Sequence, residues 1–345
     1  MLIIFAVLVG LTPIAAFCAE ELLPKFINVP AQKAIKNGLD YLAKNQVEDG
    51  HLSIGDGAQY PVTMTSLAAM AFLANGNTPS RGPYAENVRR AEQYVMESAL
   101  PNGLICTPNE FNGRSMYGHG FGLLFLSSVY GMETDEKVRD RLQKIITNAI
   151  GLTCRGQSQA GGWFYVPGDG NDEGSVTITQ MQALRAAQNA GFTVPRGTID
   201  SATSYLEKCQ NPDGGIIYML RMQGTESRLA ISAAAIACLY NAGDYDSKMA
   251  DACLAYVDKQ FQIHAKQWSK GGGHDFYTHL YASQAFYQAG EKYWGSYFPD
   301  ARDQLIRLQT KDGSWIGDDV GPVYGTSVAL IVLQLPYKFL PIYQR

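Results

Sequence analysis

The sequence predicts an all-α protein, an (α/α)6 toroid of six helical hairpins in which six inner helices are surrounded by six outer helices. Two observations lead to this fold class. First, a unit made of a helix, a glycine turn and a second helix occurs again and again, with a period of roughly 50 residues. Second, the two helices of each repeat differ in polarity. An open solenoid of stacked hairpins is the alternative architecture. The last inner helix is as apolar as the others, which favours a closed ring.

The first helix of each repeat is amphipathic. In the first repeat Ile35, Leu39 and Leu42 recur at helical spacing, with Lys36 and Asp40 between them, and this pattern is typical of a helix with one buried face. These helices are therefore predicted to lie on the outside of the ring. The predicted outer helices are residues 31–46, 84–100, 135–152, 198–210, 247–261 and 299–309.

The second helix of each repeat carries apolar, small and hydroxyl residues on all sides and must be buried. The predicted inner helices are residues 62–75, 117–130, 175–190, 227–241, 276–289 and 324–340. The first five are followed by a glycine, and the sixth runs towards the C-terminus. These glycines are Gly76, Gly131, Gly191, Gly243 and Gly290.

A glycine turn joins the two helices of each repeat. Glycine allows a positive φ, and the Asp or Asn before it can supply turn hydrogen bonds. We expect the glutamine that opens most of these turns, and the Trp or Leu that follows the glycine, to tie adjacent hairpins together and to fill the space between them. The six turns are residues 46–52, 100–105, 159–165, 210–218, 267–273 and 309–315.

The repeats run almost end to end and leave no linker, which predicts one domain over residues 20–345. Its six repeats are expected at about 31–76, 84–131, 135–191, 196–243, 247–290 and 297–345. Hydrophobic residues make up 46% of the chain and charged residues 17%, which is enough material for a large core. A net charge of -4 without a basic cluster argues against nucleic acid as a partner.

Residues 1–19 resemble a secretory signal peptide, because an apolar run is followed by small residues and two glutamates. We therefore expect export to the periplasm or the extracellular space. The segment has no Lys or Arg, so an N-terminal membrane anchor or a buried helix is the alternative, and peripheral membrane association is a further expectation. Disulfides are permitted in an exported protein, but cysteines also fill helix interfaces as small apolar residues. The five cysteines after the segment are Cys106, Cys154, Cys209, Cys238 and Cys253.

The turns that begin at Gln46, Gln210 and Gln309 resemble the prenyltransferase and squalene oxidase repeats of the terpenoid cyclase and protein prenyltransferase superfamily. The resemblance covers about residues 31–345. Segments 116–132, 161–191 and 275–290 look similar to exported, largely uncharacterised bacterial members. The resemblance implies the toroid fold, and it implies an elongated apolar ligand of isoprenoid type in a central cavity.

Neither catalytic motif of this superfamily is intact in the sequence. Its cyclases protonate the substrate with an Asp in a D-x-D-D motif, and the nearest match, residues 169–172, has Asn171 at the position of the proton donor. Its prenyltransferases bind zinc through a D-x-C motif and a distant His. Here Asp251 and Cys253 fall on a predicted outer helix, and His279 comes one residue late. We therefore expect no metal and no cofactor.

Since every inner helix follows its turn in the same sense, all six N-termini should face one mouth of the ring. Titratable side chains near these N-termini are candidates for acid-base catalysis, although a helix cap or a fixed structural pair explains the same residues. These candidates are Asp172, Glu173, His119, His279, Glu226 and Asp275. The candidates for the wall of the ligand cavity are Tyr117, Gln180, Arg228, Tyr277, Tyr281 and Tyr324.

Three functions follow from these observations. The leading hypothesis is a protein that binds an elongated isoprenoid-type ligand in the ring, with or without cyclase-like or prenyltransferase-like catalysis. The second is a non-catalytic exported binding or scaffold protein, since the fold alone does not determine function. The third is a carbohydrate-active enzyme, because such enzymes also place paired carboxylates in (α/α)6 barrels.

Overall fold

The structure, a computed structural model, describes residues 23–111, 113–241, 247–263 and 274–344. The predicted signal peptide, Gly243 and the fifth turn at 267–273 lie outside these ranges. The described residues form twelve long helices and no β-strand. The outer helices are α1 Val29–Asn45, α3 Ala85–Glu97, α5 Glu136–Arg155, α7 Arg196–Lys208, α9 Lys248–Ile263 and α11 Glu291–Leu308. The inner helices are α2 Pro61–Ala74, α4 Ser115–Tyr130, α6 Gly174–Asn189, α8 Leu229–Asn241, α10 Asp275–Ala289 and α12 Pro322–Gln334.

The six inner helices form a closed ring. Each contacts the next in chain order, and α12 contacts α2. Gln334 on α12 donates a hydrogen bond from Nε2 to the carbonyl of Ala71 on α2 over 3.0 Å. In the outer layer α11 packs on α1. The predicted (α/α)6 toroid is confirmed, and the solenoid alternative is wrong.

Polarity explains which helix of each pair lies inside. All 14 residues of α2 are buried, because this helix is surrounded by neighbours and carries no charged side chain. In α1, by contrast, only one face is buried, and Ile35, Leu39 and Leu42 belong to it. Burial of a continuous apolar surface is the main force that holds such layers together.

Two predicted helix boundaries are wrong by more than one helical turn, both because of proline. The sixth inner helix ends at Gln334 and not at residue 340, since Pro336 has no N–H to donate, and two short 3-10 turns follow it. The sixth outer helix begins at Glu291, eight residues before the predicted start, and Pro299 lies inside it. Gly290, with a φ of 104°, is the single residue between α10 and α11.

A repeated glutamine ties four of the turns to the next outer helix. In the first turn the Gln46 side chain donates to the carbonyls of Gly50 and Asn87 over 2.8 and 3.0 Å. Gln157, Gln210 and Gln309 form the same pair of bonds. The third turn thus uses Gln157, not the predicted Gln159, and the second turn has Ala99 at this position.

The turn glycines allow the next outer helix to approach closely. Their φ angles lie between 89° and 106°, and a Cβ atom on any of them would come within 2.2–2.6 Å of a carbonyl oxygen of that helix. Any other residue would therefore force the two repeats apart. The five glycines are Gly50, Gly103, Gly161, Gly214 and Gly313.

The C-terminal segment 335–344 covers one end of the ring. Pro341–Tyr343 contacts α6, and the Phe339 ring lies against Gly76, just after the end of α2. Ile342 and Tyr343 are almost completely buried. The end that remains is the one at which the inner helices begin, and we call it the mouth.

The five cysteines are free thiols, so the disulfide alternative is not realised in this structure. Cys238, for example, is buried and donates from Sγ to the carbonyl of Ile178 over 3.4 Å. Across the described ranges, no helix combines the length and apolarity that a bilayer span requires.

Candidate functional site

Four partly buried tyrosines lie together at the mouth, and we call them the tyrosine cluster: Tyr117, Tyr165, Tyr218 and Tyr277. The rings of Tyr117 and Tyr165 are 6.0 Å apart, and the hydroxyls of Tyr165 and Tyr218 are hydrogen-bonded. Tyr277 lies close enough to Tyr117 to interact with it electrostatically. Since α4 and α10 face each other across the ring, the cluster spans the mouth.

Glu173 lies beneath this cluster and is completely buried. It is the N-cap of α6: its carboxylate accepts hydrogen bonds from the N–H groups of Ser175 and Val176 over 2.9 and 2.6 Å. The Ser175 hydroxyl donates to the same carboxylate over 2.8 Å. Burial raises the pKa of Glu173, whereas these hydrogen bonds act to lower it. Its oxygens are already occupied, so the structure supports the cap function for this residue.

Two further carboxylates cap inner helices. Glu110 accepts hydrogen bonds from the N–H groups of Val62 and Thr63 over 3.2 and 3.4 Å. Asp318 accepts from the N–H groups of Phe276 and Tyr277 over 3.2 and 3.4 Å. Burial raises the pKa of both carboxyl groups. Each belongs to the repeat after the helix that it caps, so their role follows from contacts around the ring that no local sequence pattern indicates.

His119 is a structural residue that lies away from the tyrosine cluster. Its Nδ1 accepts a hydrogen bond from the N–H of Ile105 over 3.2 Å, and its Nε2 lies 2.8 Å from the Thr153 hydroxyl. In four other repeats a hydroxyl accepts the equivalent bond: Thr65, Thr177, Ser232 and Thr326. Burial lowers the pKa of His119 to about 4. The interpretation of His119 as an acid-base candidate is therefore not supported.

His279 points towards the outer helices. Its Nδ1 lies 2.8 Å from the Tyr297 hydroxyl, and its ring makes an edge-to-face contact with Phe261 at 5.3 Å. These three residues line a cavity of about 140 Å³ between α9 and α11. Burial lowers the pKa of His279 to about 3. It does not join the mouth residues, contrary to the expectation for an acid-base partner.

The remaining titratable candidates lie at the rim. Glu226 and Arg228 are exposed, and Asp172 and Asp275 are partly exposed. None of these four is packed into the tyrosine cluster as Glu173 is. No group of three or more His, Cys, Asp and Glu side chains that could bind a metal is found within the described ranges.

Below the tyrosine cluster, polar side chains fill the ring. Tyr281 is completely buried and interacts electrostatically with Tyr277 above it and with Tyr343 of the C-terminal segment. Further down, Gln182 on α6 donates to Gln284 on α10 over 2.7 Å. These two helices are not neighbours in the ring, so the bond crosses the hollow. From Tyr277 to Gln284 the helix rises only about 10 Å.

The predicted wall residues are therefore only partly a wall. The structure brings Tyr117, Tyr277 and Tyr324 together near the mouth. Gln180 is buried and donates from Nε2 to the carbonyl of Met116 over 2.8 Å, which joins α6 to α4. Instead of a long apolar tunnel, the ring contains a shallow mouth above a polar interior.

Two aromatic loop residues complete the mouth. Phe164 and Tyr165 are the last two residues of the third turn, and their ring centres are 4.5 Å apart. The Arg114 guanidinium lies 4.8 Å from the Tyr165 ring, and that of Arg221 lies 6.0 Å from the Phe164 ring. Sequence reasoning missed Tyr165 and Tyr218, because both lie in loops and not on a predicted inner helix. Their position shortly after a turn glycine is the only signal that could have indicated them.

No protein-family model matches the sequence, and no curated protein matches it. Solved structures do match in fold. The cellobiose 2-epimerase of Bacillus thermoamylovorans is 11% identical with a TM-score of 0.62, over 90% of this chain and 100% of that one. An inactive variant of the α-1,6-mannanase of Salegentibacter, in complex with α-1,6-mannotriose, is 8% identical with a TM-score of 0.61, over 88% and 98%.

A third similar structure is a variant of the type II terpene cyclase MstE from Scytonema, in complex with geranylgeranyl dihydroxybenzoate. It is 12% identical with a TM-score of 0.60, over 90% of this chain and 98% of that one. At such low identities the likeness shows the fold alone. The chain is an α/α toroid, an architecture shared by terpene cyclases, glycosidases and sugar epimerases.

Proposed function

We propose that the protein is a non-catalytic binding protein whose mouth takes a carbohydrate. One observation carries the proposal: four tyrosines stay partly exposed at the mouth, of which Tyr277 has a shielded hydroxyl, while the ring beneath them is filled by side chains of the protein itself. Tyrosine combines an apolar face with a hydrogen-bonding hydroxyl. It therefore suits a ligand that presents both C–H surfaces and hydroxyl groups, as a sugar ring does.

Binding without turnover is favoured by the state of three of the six candidate acids and bases. Glu173 has its oxygens occupied by the start of α6, and His119 and His279 face other parts of the molecule. General acid-base catalysis needs a group within hydrogen-bonding reach of the substrate. None of these three residues offers one at the mouth.

Two features support a carbohydrate as the ligand: the shallowness of the mouth and the structural neighbours. The open part of the mouth ends above Tyr281, which is completely buried, so the mouth can take a sugar ring but not an extended chain of several isoprene units. The epimerase and the mannanase, whose names give cellobiose and an α-1,6-mannan as what they act on, have the same fold. A shared fold does not by itself determine function.

Isothermal titration with cellobiose, D-mannose and α-1,6-mannotriose tests the proposal. We expect at least one of them to bind with a dissociation constant of about 1 mM or lower, and Tyr218→Leu to weaken that binding at least about tenfold. Tyr130→Leu is the control, because Tyr130 is partly exposed at the other end of α4. Unchanged binding in Tyr218→Leu, or sugar turnover that Glu173→Gln abolishes in a folded protein, would sink the proposal.

An isoprenoid-type ligand is the second candidate, favoured by the glutamine turns and by the terpene cyclase neighbour. Such a ligand has to displace the Gln182–Gln284 bond to enter the ring. Incubation with squalene followed by native mass spectrometry separates the two candidates. A bound squalene that Gln284→Leu makes more abundant would favour the isoprenoid over the sugar.

We also propose that residues 1–19 direct export, and that the protein associates at most peripherally with a membrane. The apolar run before two glutamates supports this proposal. The mass of the protein recovered from the native host tests this proposal, because removal of residues 1–19 shortens the chain. A chain that retains residues 1–19 and sediments with membranes would instead support an N-terminal anchor.

A further inference from the structure

Two arginines at the mouth lie on neighbouring aromatic rings. Arg114 precedes α4, and Arg221 lies in the short 3-10 helix Leu220–Met222 before α8. The loop between α5 and α6 brings Phe164 and Tyr165 between them, so that each ring carries one guanidinium at 4.8 or 6.0 Å. Three consecutive repeats thus contribute to one positively charged edge of the tyrosine cluster.

Neither guanidinium is paired with a carboxylate in the described part of the chain, where the ion pairs of other arginines are seen. Arg221 donates from Nη1 to the Asn171 side chain over 3.4 Å and from Nε to the Met219 sulfur over 3.0 Å. A guanidinium has five N–H donors. Most of the donors of Arg221 therefore remain available on the side away from Phe164.

Stacking on an aromatic ring fixes the plane of a guanidinium and leaves its N–H edge free. An arginine held in this way loses little conformational entropy when it binds a planar anion. Within the described residues, Arg114 and Arg221 place two positive charges beside the tyrosine cluster, in a chain with a net charge of -4. Charge-assisted hydrogen bonds to a carboxylate or phosphate are about twice as strong as neutral ones.

We propose that the ligand at the mouth is an acidic carbohydrate whose carboxylate or phosphate is bound by Arg114 and Arg221. The inference rests on the carbohydrate function proposed above and adds the chemical class of the sugar. The tyrosine cluster contacts the sugar ring, and the two arginines contact its anionic group. Specificity for acidic over neutral sugars then comes from the arginines alone.

Titrations with D-glucuronate and D-glucose, which differ in one carboxylate, test this inference at low and at high salt. We expect glucuronate to bind at least about tenfold more tightly at low salt, with the difference reduced at high salt. A phosphorylated glucose, used in parallel, shows whether phosphate can replace carboxylate. In the double variant Arg114→Gln/Arg221→Gln, glucuronate should bind less than about twofold more tightly than glucose. The affinity of this variant for glucose should stay within about twofold of that of the wild type.

Arg139→Gln is the matched control, because Arg139 lies on the outer helix α5 and pairs with Glu136 at 3.8 Å. It should leave the preference unchanged, and thermal melting of all variants verifies that they fold. Neutral and acidic sugars that bind equally well to the wild type would overturn the arginine inference and leave the carbohydrate proposal standing. If no sugar of either kind binds, both fail.

Discussion

At the scale of single residues, the buried glutamate Glu92 determines part of the stability. It lies on α3 with 2% of its surface exposed, and one of its carboxyl oxygens has no hydrogen-bond partner. Burial, together with the neighbouring Glu133 carboxylate, raises the pKa of Glu92 from 4.5 to about 8. Between these two pH values the folded protein holds a proton that the unfolded chain has lost.

This contribution to stability is therefore present at low pH and is lost as the pH rises towards 8. The free energy of unfolding of the wild type should therefore fall between pH 5 and pH 8. We predict that this fall is smaller in Glu92→Gln by at least about 1 kcal/mol. Urea denaturation at the two pH values measures it. Glu97→Gln on the exposed side of α3 is the control, and equal pH dependence in Glu92→Gln and wild type would contradict the prediction.

The buried hydroxyl of Tyr281 also affects stability. This hydroxyl interacts with Thr179 and Tyr277, but neither contact has the distance and angles of a full hydrogen bond, and the oxygen is shielded from water. Because an unsatisfied buried hydroxyl is unfavourable, Tyr281→Phe should raise the free energy of unfolding by about 1 kcal/mol. Tyr297→Phe should lower it, since that hydroxyl is bonded to His279. A melting temperature of Tyr281→Phe well below that of wild type would show that the hydroxyl has a partner in solution.

At the scale of elements, the glycine turn sets the distance between repeats. Gly161 has a φ of 106°, and a Cβ on it would lie 2.2 Å from the carbonyl oxygen of Ser201 on α7. Gly168, in the same loop, has a φ of 76° but open space around it. Replacement of Gly168 therefore incurs the conformational strain alone, whereas replacement of Gly161 also incurs a steric clash.

We predict that Gly161→Ala lowers the free energy of unfolding by about 2–4 kcal/mol, and Gly168→Ala by only about 1 kcal/mol. Chemical denaturation of both variants measures the difference. If the two substitutions cost the same, close approach of α7 to the turn is not what selects glycine there.

The helices themselves could be predicted from the sequence, because their periodicity and polarity are local properties. The exceptions are also local: Pro299, expected at a helix start, lies within α11, and Gln157, not the expected Gln159, forms the bonds of the third turn. The candidate site was less accessible to sequence reasoning. Caps such as Glu110 act on a helix 47 or more residues away, and this pairing exists only once the ring has closed.

At the scale of the whole molecule, closure removes the ends that a stack of repeats would otherwise have. The first and last repeats are joined in the same way as internal repeats: Gln309 donates to the carbonyls of Gly313 and of Ala34 on α1 over 2.9 and 2.8 Å. In an open array the terminal repeats have one neighbour each and fray first. In a closed ring every repeat has two neighbours.

We therefore predict that amide hydrogens in α2 and α12 exchange with solvent no faster than those in α4 and α6. Hydrogen exchange followed by mass spectrometry measures this, since exchange reports local opening. Gln309→Ala should accelerate exchange in both α1 and α11, because it removes the bonds that join the last repeat to the first. Gln157→Ala should instead accelerate exchange in α5 and α7. Faster exchange of α2 and α12 than of α4 and α6 in the wild-type protein would mean that the ring opens between its first and last repeats in solution. In an opened ring α4 and α10 would no longer be held facing each other across the mouth, and ligand binding at the mouth depends on that arrangement.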